Sequence, residues 1–157
     1  MSQERPRVRV MAAGVFDLLH TGHLHYLQQA KAMGDELIVV VARDASVRSR
    51  KHPPITPEEM RLALVDALKP VDRAILGHED DHFKTVEELE PDIIALGYDD
   101  YHKAEAVADE CRRRGLEVEV RRASEYQDDL AGTRRIVRKV LTEDAYRTYL
   151  EEDDDDA

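Results

Sequence analysis

The stretch GVFDLLHTGH, residues 14–23, separates two hydrophobic patterns of different period. An alternating apolar run with Val8, Val10 and Ala12 precedes it, and an amphipathic run follows from Leu24. This change of period predicts a strand, a tight turn and the start of a helix. Glycines near both ends of the stretch permit close backbone approach, and the free N–H groups of a helix N-terminus bind phosphate oxygens. The stretch therefore predicts a phosphate-binding turn.

Two histidines, His20 and His23, stand three positions apart in this turn. That spacing places both rings on one face of the first helical turn, above the predicted phosphate site. With His25 and Asp17 they are also compatible with a zinc site, although helical zinc ligands usually stand four apart. A purely structural pair is the third interpretation. The flanking glycines favour phosphate binding over packing, and His25 is expected on another side of the helix.

Strand and helix patterns alternate from the turn to the end of the chain. A continuous apolar run at 37–42 indicates a strand covered on both faces, and runs at 74–76, 92–96 and 117–120 indicate further strands. With helices between them, these runs predict an α/β fold with a doubly wound, five-stranded parallel sheet of the Rossmann-like type. In such sheets ligands bind at the carboxyl ends of the strands, where the strand order reverses.

One domain is expected over residues 1–150, followed by an acidic, disordered tail at 151–157. Other helix predictions are short stretches at 86–89 and 103–114 and a helix that begins at Thr133. Cys111 is the single cysteine, and its helical context predicts a packed thiol.

The segment before the third predicted helix differs from the rest. Residues 44–54 are basic and lack an apolar period, so they predict a mobile loop. Its basic residues Arg48, Arg50 and Lys51 would close over a bound triphosphate, with a solvated basic loop as the alternative. The next helix is expected to begin with a capping box and to bury one apolar stripe. The box is Thr56-Pro57-Glu58-Glu59, and the stripe is Met60, Leu64, Ala67 and Leu68.

The composition is acidic, with 34 Asp and Glu against 23 Lys and Arg and a formal net charge of −11. This balance argues against general binding to nucleic acid or to anionic membranes. An acidic chain in which Arg outnumbers Lys suggests the salt-rich cytoplasm of a halophilic archaeon, and a merely acidic protein is the alternative. With no signal peptide and no long apolar run, a cytoplasmic protein is expected.

The stretch at 14–23 resembles the GxFDxxHxGH signature of the cytidylyltransferase-like branch of the nucleotidyltransferase superfamily. The resemblance covers roughly residues 8–140. Within the superfamily, residues 34–44, 69–77 and 91–99 are similar to those of the archaeal FAD synthases. The resemblance implies the HxGH nucleotidyltransferase fold and in-line transfer of a nucleotidyl group without a protein nucleophile.

The resemblance also implies which residues form the site. His20 and His23 would be the catalytic pair that stabilises the phosphates, and Mg²⁺ would accompany ATP. Arg61 matches a family arginine near the active site, with an exposed helix residue as the alternative. The superfamily suggests a homodimer. The nucleotide would be held by Val15, Phe16, His20, Thr21, Gly22, His23, Asp99 and Tyr126.

The chain departs from the family pattern at 131–134, where related cytidylyltransferases carry a Ser/Thr run before a basic residue. In this chain only Thr133 keeps a hydroxyl, and Arg134 keeps the basic charge. Thr133 is also a suitable helix N-cap. At position 20, phosphopantetheine and nicotinamide mononucleotide adenylyltransferases usually have Thr. His20 therefore favours the cytidylyltransferase-like branch.

The resemblance implies transfer of AMP from ATP to FMN, which gives FAD and pyrophosphate. A cytidylyltransferase acting on glycerol 3-phosphate or another phosphorylated alcohol is the alternative, and a zinc hydrolase and a nucleotide sensor are remoter ones. Tyr98, Tyr101 and Tyr126 fall in loops at the ligand-binding edge. There they would stack on flavin or adenine, or serve as loop anchors. The expected partners are these small molecules, with no nucleic acid and no membrane.

Overall fold

The computed structural model describes residues 5–48, 52–127 and 132–153. Strands and helices alternate along them. The strands are β1 (Arg9–Gly14), β2 (Glu36–Val41), β3 (Arg73–Leu76), β4 (Ile93–Leu96) and β5 (Glu119–Arg122). The helices are α1 (Thr21–Ala32), α2 (Asp44–Arg48), α3 (Glu58–Asp66), α4 (His82–Leu89), α5 (Ala104–Arg113), α6 (Thr133–Thr142) and α7 (Asp144–Asp153), with a 3₁₀ helix at Tyr98–Lys103.

The five strands form one sheet in the order β3-β2-β1-β4-β5, and every neighbouring pair is parallel. This confirms the predicted doubly wound parallel sheet. β2 lies inside the sheet, and its residues from Leu37 to Val41 are buried. Its continuous apolar run follows from this position, because helices cover both faces of an interior parallel strand.

Two apolar layers cover the sheet. On one face, α1 and α3 pack Leu27 and Val65 against Val10 and Ala12 of β1. On the other, α4 and α5 pack against Met11 of the same strand. Successive residues of a strand point to opposite faces, so β1 contributes to both layers.

The strand order reverses between β1 and β4, which are neighbours in the sheet. From β1 the chain enters α1 on one face, and from β4 it reaches α5 on the other. The loops after these two strands therefore diverge and leave a crevice at the carboxyl edge. The turn at residues 14–23 lies at this crevice, because it follows β1.

The start and the buried face of α3 differ from the prediction. The helix begins at Glu58 with Pro57 at the N-cap and no side-chain cap, so the predicted capping box is wrong. Met60 and Leu64 are 50% and 47% exposed, whereas Arg61 and Val65 are buried. Apolar periodicity missed this face because one of its two buried residues is an arginine.

The segment 44–54 is not a loop throughout. Its first residues form α2, and Asp44 pairs with Arg61 across 2.6 Å. Of the basic residues expected to close over a triphosphate, Arg50 and Lys51 and the side chain of Arg48 lie outside the described residues. At the other end, α7 continues through residues 151–153, where a disordered tail was predicted, and 154–157 lie outside the described residues.

Smaller differences concern element boundaries. α4 begins at His82, four residues before its predicted start, because the Asp81 carboxylate caps it by accepting the Phe83 N–H at 3.0 Å. β5 is shifted two residues towards the C-terminus.

Cys111 is 1% exposed, which confirms the packed thiol, and burial raises its pKa. No helix of the described residues is both long and apolar enough to cross a membrane.

Candidate active site

The turn after β1 has an unusual backbone. Phe16 and Leu18 adopt positive φ angles of 57° and 53°, which non-glycine residues rarely do. The Phe16 ring is buried and folds back over Gly14, where an added Cβ would lie 3.0 Å from a ring carbon. Gly14 therefore packs closely against the Phe16 ring, whereas the sequence favoured phosphate binding over packing for the glycines of this turn. Such strained backbone persists only where its surroundings hold it in place.

Asp17 is one of the groups that hold the turn. Its carboxylate is 8% exposed and accepts the N–H groups of Ile55 and Thr56 at 2.7 and 3.0 Å. The Thr56 hydroxyl donates to the same carboxylate at 2.7 Å, and the Thr133 hydroxyl donates to the Asp17 carbonyl. Burial opposes ionisation, but these bonds outweigh it and hold the pKa of Asp17 below its ordinary value. Asp17 therefore joins the turn to the start of α3 and to α6.

Arg61 is the second anchor, and it is neither exposed nor part of the cleft wall. Its guanidinium is 1% exposed and donates to the carbonyls of Val15 at 2.8 Å and Ala42 at 2.7 Å. It also donates to the Thr56 carbonyl at 3.0 Å and pairs with Asp44 at 2.6 Å. The planar fork of an arginine satisfies several acceptors at once. One side chain thus fixes the loops after β1 and β2 relative to each other.

His20 and His23 form a reciprocal cap at the start of α1. The Nδ1 of His20 accepts the His23 N–H, and the Nδ1 of His23 accepts the His20 N–H, each at 3.4 Å. The rings stack with centroids 3.7 Å apart, which confirms that they share one face. A ring whose Nδ1 accepts carries its neutral-form proton on Nε2. Both rings therefore offer an N–H donor on the side away from the backbone.

The electrostatics of the pair favour neutral rings. Burial lowers the pKa of His20. Burial, and after it the neighbouring His20, lowers the pKa of His23 to about 4. At pH 7 in the absence of an anion, two uncharged imidazoles thus stand beside the N-terminus of α1, whose partial positive charge attracts anions.

A cleft of about 640 Å³ opens in front of this pair. Its wall combines the turn after β1, the start of α1, the segment after β4 and the residues after β5. Most of the predicted site residues line it together: Val15, Phe16, His20, Gly22, His23, Asp99 and Tyr126. Thr21 is the exception, because it is exposed at the first position of α1 and is not part of the wall.

Several residues of the cleft were missed by the sequence analysis. His25 was expected away from the site, yet its Nε2 lies 3.1 and 3.0 Å from the carbonyl and hydroxyl oxygens of Ser124. Its ring also stacks on Tyr126 at 4.9 Å between centroids. On α6, Arg135 lines the cleft and Arg134 does not. No local sequence signal marks the contacts of His25, because β5 brings Ser124 and Tyr126 to α1 from about 100 positions further along the chain.

The other candidate aromatics have different surroundings. Tyr98 lines the cleft with the Arg122 guanidinium 4.8 Å from its ring centroid. The side chain of Tyr101 lies outside the described part of the chain. Thr133, the predicted N-cap, is the first residue of α6, and Gly132 occupies the cap position instead.

The zinc-site alternative finds no support in this geometry. Asp17 directs its carboxylate to Ile55 and Thr56, and each histidine uses Nδ1 for its partner's backbone. Across residues 5–48, 52–127 and 132–153, no group of three His, Cys, Asp or Glu side chains is arranged to hold a metal ion.

Comparisons with known proteins show to which family the chain belongs. The sequence model of the cytidylyltransferase-like family matches residues 11–150. A protein of Aciduliprofundum boonei named FAD synthase is 55% identical over 85% of this chain and 91% of its own length. The FAD synthase of Halomicrobium mukohataei is 49% identical over 85% of this chain and 95% of its own length.

The chain is also similar to a protein of known structure. A crystal structure from Thermoplasma volcanium, described as a lipopolysaccharide core biosynthesis protein, is 52% identical and superposes with a TM-score of 0.75. The match covers 78% of this chain and all of that one. From the strand order, the paired histidines and these matches, we conclude that the chain belongs to the cytidylyltransferase-like family, with archaeal FAD synthases among its relatives.

Proposed function

We propose that this protein is an FMN adenylyltransferase, which transfers AMP from ATP to FMN and releases pyrophosphate. The observation that carries the proposal is the stacked His20–His23 pair, whose Nε2–H groups stand at the N-terminus of α1 in a cleft of about 640 Å³. Neutral N–H donors beside a helix N-terminus suit the oxygens of a triphosphate. The relatives named FAD synthase support FMN as the acceptor.

The reaction requires one displacement at phosphorus. An oxygen of the FMN phosphate forms a bond to the α-phosphorus of ATP, the bond from that phosphorus to the bridging oxygen breaks, and pyrophosphate leaves with the electron pair. His20 and His23 donate hydrogen bonds to the phosphate oxygens on which charge grows. Burial keeps both rings neutral before ATP binds. The negative charge of the approaching triphosphate raises the pKa of both rings, because it favours the protonated form, and this strengthens the hydrogen bonds to the phosphate oxygens.

The nucleotide end of the site lies towards β4 and β5. We assign the contacts to the nucleoside to Asp99 and Tyr126, and the backbone of Val15 and Phe16 to the phosphates. Tyr126 is held by its stack on His25, and His25 is held by Ser124. A prearranged aromatic pair of this kind offers a surface for the adenine base.

The charge balance of the cleft favours a divalent ion with ATP. Of the residues that the structure describes, Asp99, Asp100 and Glu125 bring three carboxylates to the cleft wall, and Arg135 brings the one guanidinium. A triphosphate adds further negative charge. Mg²⁺ is usually held by the phosphate oxygens of its substrate and by water, and it supplies the missing positive charge there.

Pyrophosphate release tests the proposal directly. ATP or CTP is paired with FMN or glycerol 3-phosphate, and the flavin product is identified by chromatography. We expect release with ATP and FMN, together with FAD in equal amount. Faster release from CTP with glycerol 3-phosphate would refute the assignment in favour of the cytidylyltransferase alternative. Riboflavin is expected to be inert, because it lacks the attacking phosphate.

The matched region supports a single catalytic domain over residues 1–150. We propose a homodimer, which sedimentation equilibrium tests, and a cytoplasmic location, where both substrates are made available to the enzyme.

A further inference from the structure

A second cavity, of about 220 Å³, lies beside the cleft on the face of the sheet covered by α4 and α5. Met11 and Ile94 form its floor on the sheet, Phe83 and Val86 line it from α4, and Val107 lines it from α5. These side chains are apolar and fixed by helices and strands. The Phe83 ring is further held by the Arg114 guanidinium, 5.2 Å from its centroid. The cavity is thus a preformed apolar pocket.

The apolar pocket adjoins the cleft. Both are bordered by the same four residues, which are Ala13 of β1, Tyr26 of α1, and Gly97 and Asp100 after β4. The Tyr26 hydroxyl donates to the Ala95 carbonyl at 2.6 Å, which fixes this border. A ligand whose phosphate lies at the histidines therefore reaches the apolar pocket across the ends of two adjacent strands.

The size and chemistry of the pocket select one part of a ligand. Sites for whole drug-sized ligands usually measure about 300–1,000 Å³, so this cavity suits a fragment of a larger molecule. FMN has a phosphate at one end and a flat, largely apolar ring system at the other. His82 and Asp100 border the pocket and offer polar partners for the N–H and carbonyl groups on one edge of that ring.

The tyrosines expected to stack on the flavin are engaged elsewhere. Tyr126 stacks on His25, and Tyr98 lies under Arg122. Both line the cleft, and neither borders the apolar pocket. We infer that the apolar pocket between α4 and α5 binds the isoalloxazine ring of FMN, with the ribityl chain crossing the shared border to the cleft. This inference rests on the proposed transfer to FMN.

A substitution that fills the pocket tests the inference. Val107→Phe adds a ring to the pocket wall and is expected to raise the KM for FMN by about tenfold or more, since pockets reject added carbon atoms on that scale. The KM for ATP stays unchanged. The matched control is Glu105→Phe, which adds the same ring to an exposed position of the same helix. It is expected to behave as the wild-type protein.

A ligand fragment gives a test on the wild-type protein, which is independent of how the variant folds. Lumiflavin has the flavin ring but no sugar chain or phosphate. We expect it to compete with FMN in a fluorescence titration and to inhibit the reaction competitively against FMN, but not against ATP.

The outcomes separate the two proposals. If the wild-type protein forms FAD while Val107→Phe keeps the wild-type KM for FMN, the ring lies elsewhere and the proposed function stands. Failure of lumiflavin to displace FMN leads to the same conclusion. If ATP and FMN yield neither FAD nor pyrophosphate, the proposed function itself fails.

Discussion

Replacing His23 by Asn should flatten the dependence of stability on pH between pH 7 and pH 5. Burial and the neighbouring His20 lower the pKa of His23 in the folded protein to about 4. An unfolded histidine titrates near its ordinary value of about 6.5. Between these two values the unfolded chain binds a proton that the folded chain rejects, so the free energy of unfolding falls as the pH falls.

The size of the effect follows from the two pKa values. A shift from about 6.5 to about 4 corresponds to a loss of about 2 kcal/mol between pH 7 and pH 5 from this group alone. Asn is a suitable replacement, because its side-chain oxygen still accepts the His20 N–H but does not titrate in this range. His23→Asn is therefore expected to lose about 2 kcal/mol less than the wild-type protein over the same interval.

Urea unfolding at pH 7 and pH 5 measures the difference. His52→Asn, at an exposed histidine, is the control and should keep the wild-type dependence. NMR titration of the His23 ring provides the direct reading, with a midpoint near pH 4 that moves upwards when ATP is added. A midpoint above pH 6 in the free protein, or equal pH dependence in His23→Asn and the wild-type protein, would refute the reasoning.

Three other predictions concern activity, the buried anchor and salt. His20→Ala should lower kcat by about 10²–10³ with little change in the KM for ATP, and retention of more than about a tenth of kcat would contradict the assigned role. Arg61→Met should lower the free energy of unfolding by about 3–5 kcal/mol, because Asp44 and three carbonyl oxygens lose the guanidinium that donates to them. The control is Arg134→Met, at an exposed arginine, which should leave the free energy of unfolding unchanged. The melting temperature should rise from dilute buffer to molar KCl, because like-charge repulsion extends over about 30 Å in 0.01 M salt. A flat curve would contradict the halophilic interpretation.

Features that depend on neighbouring residues were predictable from the sequence. The apolar residues of β1 and the continuous apolar run of β2 mark strands that are covered on both faces of the sheet. The three-residue spacing of His20 and His23 is likewise local, since it determines on which side of a helix start both rings lie. The order of such local patterns was sufficient to predict a doubly wound sheet and the edge of that sheet at which the cleft opens.

Features that depend on distant residues required the tertiary structure. Asp17 meets Ile55 across 38 positions, Arg61 meets Val15 across 46, and His25 meets Ser124 across 99. A charged residue such as Arg61 has no apolar signature, so its burial depends wholly on acceptors that the fold brings to it. The apolar pocket is of the same kind, because it exists only where α4, α5 and the ends of two strands meet. The chain thus specifies the turn at residues 14–23 locally, whereas the fold decides what supports that turn and where the apolar pocket forms beside the cleft.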